Sequence, residues 1–389
     1  MSFVWAVAAC VCVLAWQFLT VHYNRQDNWT ALFYTGQVRP VPPELQAGTY
    51  MFPGRGYDGQ MYRYIAHDPF LRNGWERYID SPTFRYRRIL VPALAFMLAG
   101  GRQQWIDAAY VAVTSLFVLL GSFWLSRWAV LHGFHAAWAL AFPLVPAALI
   151  SMDRMTMDGA LAALSVGFVY FIATGNTAKL FALLLAACLV RETGTLLVAG
   201  CILFDLSQRR FARAAVWATA CLPMLVWYGY VYWNLHGDPN IFGMPNFLEG
   251  RLGLGIIGAI LHPPHYALGA AIESITRSLD VVSLLGMLCA LVAGLLLLRT
   301  RPLNPISIAA VLFAAMAIML TSSIYWRDSF GYTRAFSPLL ILIALQAAGA
   351  KNRMRAWWWM LLPAPLMDLR IGLQLGPQVL GVFRGLLGH

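Results

Sequence analysis

Charge is scarce in this sequence. Only 12% of its 389 residues are Asp, Glu, Lys or Arg, about half the share found in ordinary soluble domains. By contrast 60% are hydrophobic and the mean hydropathy is +0.62. A water-soluble globule of this length has too little interior to take so many apolar side chains. The deficit excludes a soluble enzyme, a disordered chain and a nucleic-acid-binding domain. Lysine is almost missing: Lys179 and Lys351 stand alone, so the formal net charge of +11 rests on arginine. Codon bias can produce that excess; the alternative is bidentate capture of phosphate or carboxylate, at which arginine surpasses lysine. Phosphate-bearing lipids are then the natural partners. Cysteine is sparse, and all six (Cys10, Cys12, Cys188, Cys201, Cys221, Cys289) sit in apolar stretches, where they read as small buried hydrophobes. Cys10 and Cys12 fall on different helix faces, which argues against a metal pair. No Cys/His ligand spacing, P-loop, Rossmann glycine run or nucleophile elbow is present. No internal repeat of transporter type is visible either.

What remains is a succession of apolar runs. The stretch Phe3 to Thr20 has neither a basic start nor a small-residue cleavage site, so it reads as a retained span rather than a signal peptide. Further spans are expected at roughly 107–131, 136–151, 157–174, 178–190, 194–206, 214–234, 280–298, 305–323, 335–349 and 356–364. That gives an all-α polytopic membrane domain over 1–389 with about eleven spans, several of them short. Basic residues in short loops set orientation. Arg127, Lys179, the Arg209/Arg210/Arg213 group, Arg299/Arg301 and Lys351/Arg353/Arg355 share one side, the cytoplasm, if the apolar run Ala178–Leu206 is two spans meeting at Arg191-Glu192.

The first extracytoplasmic loop then covers 21–106, and a second runs over 235–279 with His-Gly-Asp-Pro and His-Pro-Pro turn signals. Within the first, Asp58 to His67 is expected to form a helix with a greasy side, lying on the membrane surface. The segment from Arg85 to Ala99 is too short to cross and is expected to be a second interfacial helix, its arginines facing headgroups.

Four polar clusters converge on external helix ends: Tyr57-Asp58-Gly59-Gln60 with Arg63; Asp153-Arg154 with Asp158; Arg191-Glu192; and Arg327-Asp328 with Arg334. Charges at membrane depth are costly and tend to mark function, so the four suggest one outward-opening cavity lined by both signs of charge. Asp58 stands out. It follows Arg-Gly-Tyr and precedes a glycine, which allows close approach of a substrate, and a carboxylate there can act as general base. The competing reading is a simple helix cap. Asp153 can equally be half of a structural ion pair with Arg154 or Arg191. Arg191-Glu192 can be local neutralisation, and Arg334 an interfacial snorkelling residue. His262 and His265, flanking two prolines, read as solvated loop histidines.

These residues are similar to the GT-C superfamily of membrane glycosyltransferases, with their long first external loop bearing an early acidic residue. More narrowly, Tyr57-Asp-Gly-Gln-Met-Tyr followed by Arg85-Tyr-Arg-Arg-Ile-Leu-Val-Pro resembles a group of bacterial cell-surface-glycopolymer proteins, and the acidic loop resembles the GPI mannosyltransferase branch. The resemblance covers roughly residues 1–235. It implies an inverting transferase that takes sugar from a polyprenyl-phosphate-linked donor, with Asp58 as catalytic base on a lipid, glycan or protein acceptor. It implies further that Arg191, Arg334 and Arg154 hold the donor phosphate. Tyr57, Gln60, Arg63, Arg88, Asp153, Asp158, Glu192 and Arg327 complete the expected substrate site. The Asp-x-Asp metal pattern is missing, so no cofactor or divalent cation is assigned. The sequence carries no large C-terminal soluble domain, which leaves acceptor recognition to the external loops. The expected setting is the inner membrane, with the active site facing outward. A transporter or flippase for an anionic lipid or glycolipid is the alternative. A membrane acyl- or phosphotransferase is disfavoured, because the histidines lie in loops or at helix ends.

Overall fold

A computed structural model of the chain describes residues 1–236, 251–266, 268–299, 303–350 and 358–387. Apart from a two-residue parallel bridge, Thr35–Gly36 with Met51–Phe52, all regular structure among them is helical. The chain opens with α1 (Ser2–Arg25). A folded lobe follows, containing α2 (Pro43–Gln46), α3 (Asp58–His67), α4 (Pro82–Tyr86) and α5 (Leu90–Leu98). Then come α6 (Gln103–Leu131), a 3-10 segment Ala136–Leu144, α7 (Pro146–Arg154), α8 (Asp158–Thr174), α9 (Thr177–Val190) and α10 (Thr195–Ser207). The second half holds α11 (Phe211–Thr219), α12 (Leu222–Asn234), α13 (Leu254–Leu261), α14 (Ala270–Leu296) and α15 (Pro305–Met319). It ends with α16 (Ser323–Arg327), α17 (Ser329–Ala335), α18 (Ser337–Gly349) and α19 (Pro363–Leu387).

Four segments are long and apolar enough to cross a membrane: α1, α6, the run Phe211–Asn234 and the run Ala270–Arg299. Counting each bent pair as one span, Ala136–Leu144 with α7 (61°) and α17 with α18 (49°), raises this to six. Helices α8, α9 and α15 are apolar but only 17, 14 and 15 residues long. Length is therefore what separates this count from the eleven runs of the sequence. The outer faces of the long helices are greasy: Phe3, Val4, Val11 and Phe18 on α1, and Leu222, Leu225, Val226 and Trp233 on α12, are all exposed. Such faces belong against hydrocarbon, where a helix needs no outside partner for its backbone.

The run Ala178–Leu206 does break, α9 ending at Val190 and α10 starting at Thr195 across a 3-10 turn Glu192–Gly194. The apolar stretch near 356–364 does not form a span. Its described part is a 3-10 turn Trp358–Leu361, and the long α19 starts immediately after it. Arg301, Lys351, Arg353 and Arg355 lie outside the described residues, as does most of the His-Gly-Asp-Pro turn. Of the second loop, the described part contains α13 and the first turns of α14, which begins at Ala270 rather than near 280.

Two readings of the lobe need correction. Every residue of α3 from Gly59 to His67 is buried in protein, against α5, α6 and neighbouring turns, so its greasy side meets the core and not a membrane surface. The arginines before α5 do not all face headgroups: Arg85 and Arg88 are drawn inward to carboxylates. Nor are all cysteines buried, since Cys12 and Cys289 face outward. Cys188 and Cys221 lie with their Sγ atoms 3.9 Å apart.

Helix α3 reaches its position because Gly59 carries no side chain. A Cβ there would stand 2.0 Å from the Arg154 carbonyl oxygen and 2.9 Å from that of Phe33. Gly59 thus serves contact between the start of α3 and the end of α7, not approach of a substrate. Gly59→Ala should lower the thermal midpoint in detergent, costing at least about 1–3 kcal/mol as an overpacked core does. Gly48→Ala, with no atom within 4 Å of its Cβ, should leave the midpoint nearly unchanged in the same scan.

Candidate functional site

Helix ends supply the site. Asp58 and Asp158 occupy the first turns of α3 and α8, where the helix N-terminus favours a carboxylate. Arg154 ends α7, Arg334 closes α17, and Arg191-Glu192 sits in the break between α9 and α10. Packing brings all five ends together.

The result is a closed ring of alternating charge. Asp58 Oδ1 accepts from Arg85 at 2.8 Å, and its Oδ2 is paired with Arg334. Arg334 donates through Nη1 to Asp158 Oδ2 at 3.0 Å, and the other oxygen of Asp158 is paired with Arg191. Arg191 lies 3.8 Å from Glu192, which takes a fork from Arg88 at 2.5 and 3.0 Å. The Tyr62 hydroxyl accepts from Arg88 at 2.9 Å and from Arg85 at 3.4 Å, closing the ring. Behind it, Asp80 holds Arg85 bidentately at 2.9 and 3.0 Å and also pairs with Arg39 at 3.0 Å. Within the ring, four guanidiniums face three carboxylates, which leaves one positive charge over.

Arg154 completes one wall. Its guanidinium lies 4.2, 4.7 and 4.4 Å from the ring centres of Tyr34, Tyr57 and Phe330, and it bonds a carboxylate only through Nε, to Asp153 at 3.2 Å. Arg334 lies 4.9 Å from the Tyr57 ring centre. Phe330, Ile150, Ile371 and Leu375 pack with Tyr57 behind this wall, so α19 backs the site. Gln378 of α19 donates to Asp153 at 2.8 Å and leaves Arg154 half its carboxylate.

Several donors here have no acceptor. The Tyr57 hydroxyl and the Nε atoms of Arg191 and Arg334 are buried with no hydrogen-bond partner. Buried donors are rarely left so, and these three belong to residues of the same charged cluster. Burial pushes the Tyr57 phenol well above its usual range, against the pull of Arg334, so it stays a neutral donor. Burial alone would also raise the Asp58 carboxyl, but Arg334 and Arg85 outweigh it and hold it well below the usual carboxylate range.

Not every expected residue comes to this place. Arg63 forks onto Asp107 at 2.8 and 2.6 Å and also meets Thr49, with His67 on the same carboxylate. It is a structural tie between α3 and α6. Gln60 accepts from the Gly36 amide at 3.0 Å and donates to the Arg55 carbonyl at 3.0 Å, which pins the loop leading to Asp58. Arg327 is exposed and makes no ion pair among the described residues. Asp58 is not a cap: the residue in the cap position is Tyr57, without a side-chain cap bond, and both Asp58 oxygens are spent on arginines. Arg85, Tyr62, Asp80, Tyr34 and Phe330 belong to the site and were not singled out in the sequence. The Arg85-Tyr-Arg-Arg run was a signal for Arg85; the aromatics had none.

Among the described residues no group of three or more His, Cys, Asp and Glu side chains is arranged to hold a metal ion. Comparison with protein-family models, with curated proteins and with solved structures finds no match to this chain.

Glu192 offers a test of the ring. Burial would raise its carboxyl, yet Arg88 above all, then Arg191, brings it from 4.5 down to about 2. A depressed carboxyl stabilises the fold above its unfolded pKa and loses that contribution as pH falls through the folded value. The loss should run from about pH 5 to pH 2 and amount to something on the order of 3 kcal/mol. The thermal midpoint should therefore drop across that window. Glu192→Gln should start lower at neutral pH and show a shallower acid limb.

Proposed function

We propose that the chain is a membrane glycosyltransferase of GT-C type that uses a polyprenyl-phosphate-linked sugar. The observation that supports this most is a carboxylate, Asp58, set beside a cluster of arginines whose remaining donors have no partner. Arg334, Arg191 and Tyr57 would hold the phosphate of the sugar donor, with Arg154 from the aromatic wall. Asp58 would take the proton of the acceptor hydroxyl as its oxygen attacks the anomeric carbon. The bond from that carbon to the phosphate oxygen breaks on the opposite face, the sugar inverts, and prenyl phosphate leaves with its added charge matched by the arginines. In this reading the apolar runs other than 356–364 form about ten spans, some short, in the inner membrane. The lobe over 21–106 and the site face outward, and the acceptor is a lipid, glycan or protein.

A transporter of an anionic lipid needs polar groups along a path. Two charged pairs buried elsewhere, Arg63 with Asp107 and Arg370 with Asp280, each at 2.6 Å, are closed and neutral, which supports the transferase over the carrier.

Mass spectrometry of lipids co-purifying with the protein tests the donor. Polyprenyl phosphate or its sugar conjugate is expected with the wild type and should be depleted in Arg334→Ala. Glycolipids without a polyprenyl carrier would favour the transporter. Asp58→Asn should reduce sugar transfer by about 10²–10⁴-fold, the usual worth of a positioned base, while the thermal midpoint shows a folded protein.

A further inference from the structure

Asp58 is placed to act as a base and at the same time prevented from doing so. Each of its oxygens is in an ion pair, one with Arg85 and one with Arg334. A carboxylate so engaged cannot take a proton until one arginine leaves. The two partners are not equally committed to it. Arg85 is also forked onto Asp80, itself backed by Arg39, so it keeps a carboxylate whatever Asp58 does. Arg334 is shared between Asp58 and Asp158, its Nε has no partner, and the unpartnered Tyr57 hydroxyl belongs to the ring it lies over. An incoming phosphate would offer that group more than Asp58 can: it would compete for the same terminal nitrogen and bring acceptors to Arg334 Nε and the Tyr57 hydroxyl, both without partners now.

We infer that a phosphate ligand displaces Asp58 from Arg334, so that donor binding is what frees the base. This rests on the transferase reading and adds a binding order to it. Without donor, Asp58 is held as a stand-in anion, and an acceptor hydroxyl meets a carboxylate that cannot deprotonate it. With the phosphate on Arg334, Arg85 leans on Asp80 and one Asp58 oxygen opens. No bond is made or broken in this exchange; one anion replaces another on a guanidinium.

Displacement predicts that removing the carboxylate improves phosphate binding. Affinity for a long-chain prenyl phosphate is measured in detergent by the ligand-induced shift of the thermal midpoint and by direct titration. Asp58→Asn and Asp58→Ala are each expected to bind it at least about tenfold more tightly than wild type, equivalent to about 1.4 kcal/mol. Two variants are used so that misfolding of one leaves the other to decide. Unchanged or weaker binding in the folded variants overturns the inference while leaving the transferase reading intact. No prenyl phosphate binding by wild type or variants overturns both. Inorganic phosphate is the companion probe. Tightening with it as well assigns the exchange to the phosphate group, whatever molecule carries it; tightening confined to the prenyl ester assigns it to the lipid headgroup.

Discussion

A ring of largely buried charges governs this structure. Removing an ion from water costs several kcal/mol even after relaxation, and only close, well-oriented partners repay it. Asp58, Asp158 and Glu192 are each met by two guanidiniums, and Arg85, Arg88, Arg191 and Arg334 each reach a carboxylate. Among the described residues only Arg88 depends on a single carboxylate, Glu192; every other member of the ring has a second partner of opposite charge. Three donors of this cluster, the Tyr57 hydroxyl and the Nε atoms of Arg191 and Arg334, have no partner.

The surrounding folds serve to hold these ends in register. The helix break at Arg191-Glu192 exposes backbone and side chains that a continuous span would bury in its own turn. Gly59 lets α3 touch the end of α7, Gln60 pins the approach loop, and the Arg63–Asp107 pair ties α3 to α6. From the far end of the chain, α19 packs Ile371 and Leu375 behind Phe330 and Tyr57 and sets Gln378 on Asp153. A site built from the N-terminal lobe is thus completed by the last helix.

Much of this was legible in the residues themselves. Scarce charge and long apolar runs announced the helical membrane class, and the position of a charged dipeptide inside the run 178–206 announced its break. Asp58, Asp158, Arg191, Glu192 and Arg334 stood out because a charge beside an apolar helix needs a reason. Arg63 and Arg327 stood out for the same reason and Gln60 as a neighbour of Asp58; they proved to be two structural ties, Arg63 and Gln60, and an exposed side chain. Sequence proximity to Asp58 was a poor guide, because α3 turns Arg63 away toward α6 within two turns. Arg85 was hidden among three arginines, two of which turn inward with nothing local to mark them, and Phe330 and Tyr34 looked like any other aromatic in an apolar chain.

What the sequence determined alone was therefore local and compositional: that the chain is helical and apolar, where one long run breaks, and which few residues cannot be comfortable in an apolar setting. Those follow from hydropathy and from the conformational rules of neighbouring residues. Only the tertiary structure decided the pairing. Arg334 meets Asp58 from 276 residues away and Arg88 meets Glu192 from 104, and no periodicity within a helix encodes such a distance. Burial demands that each charge find a partner, but the packing of helix ends decides which one it finds.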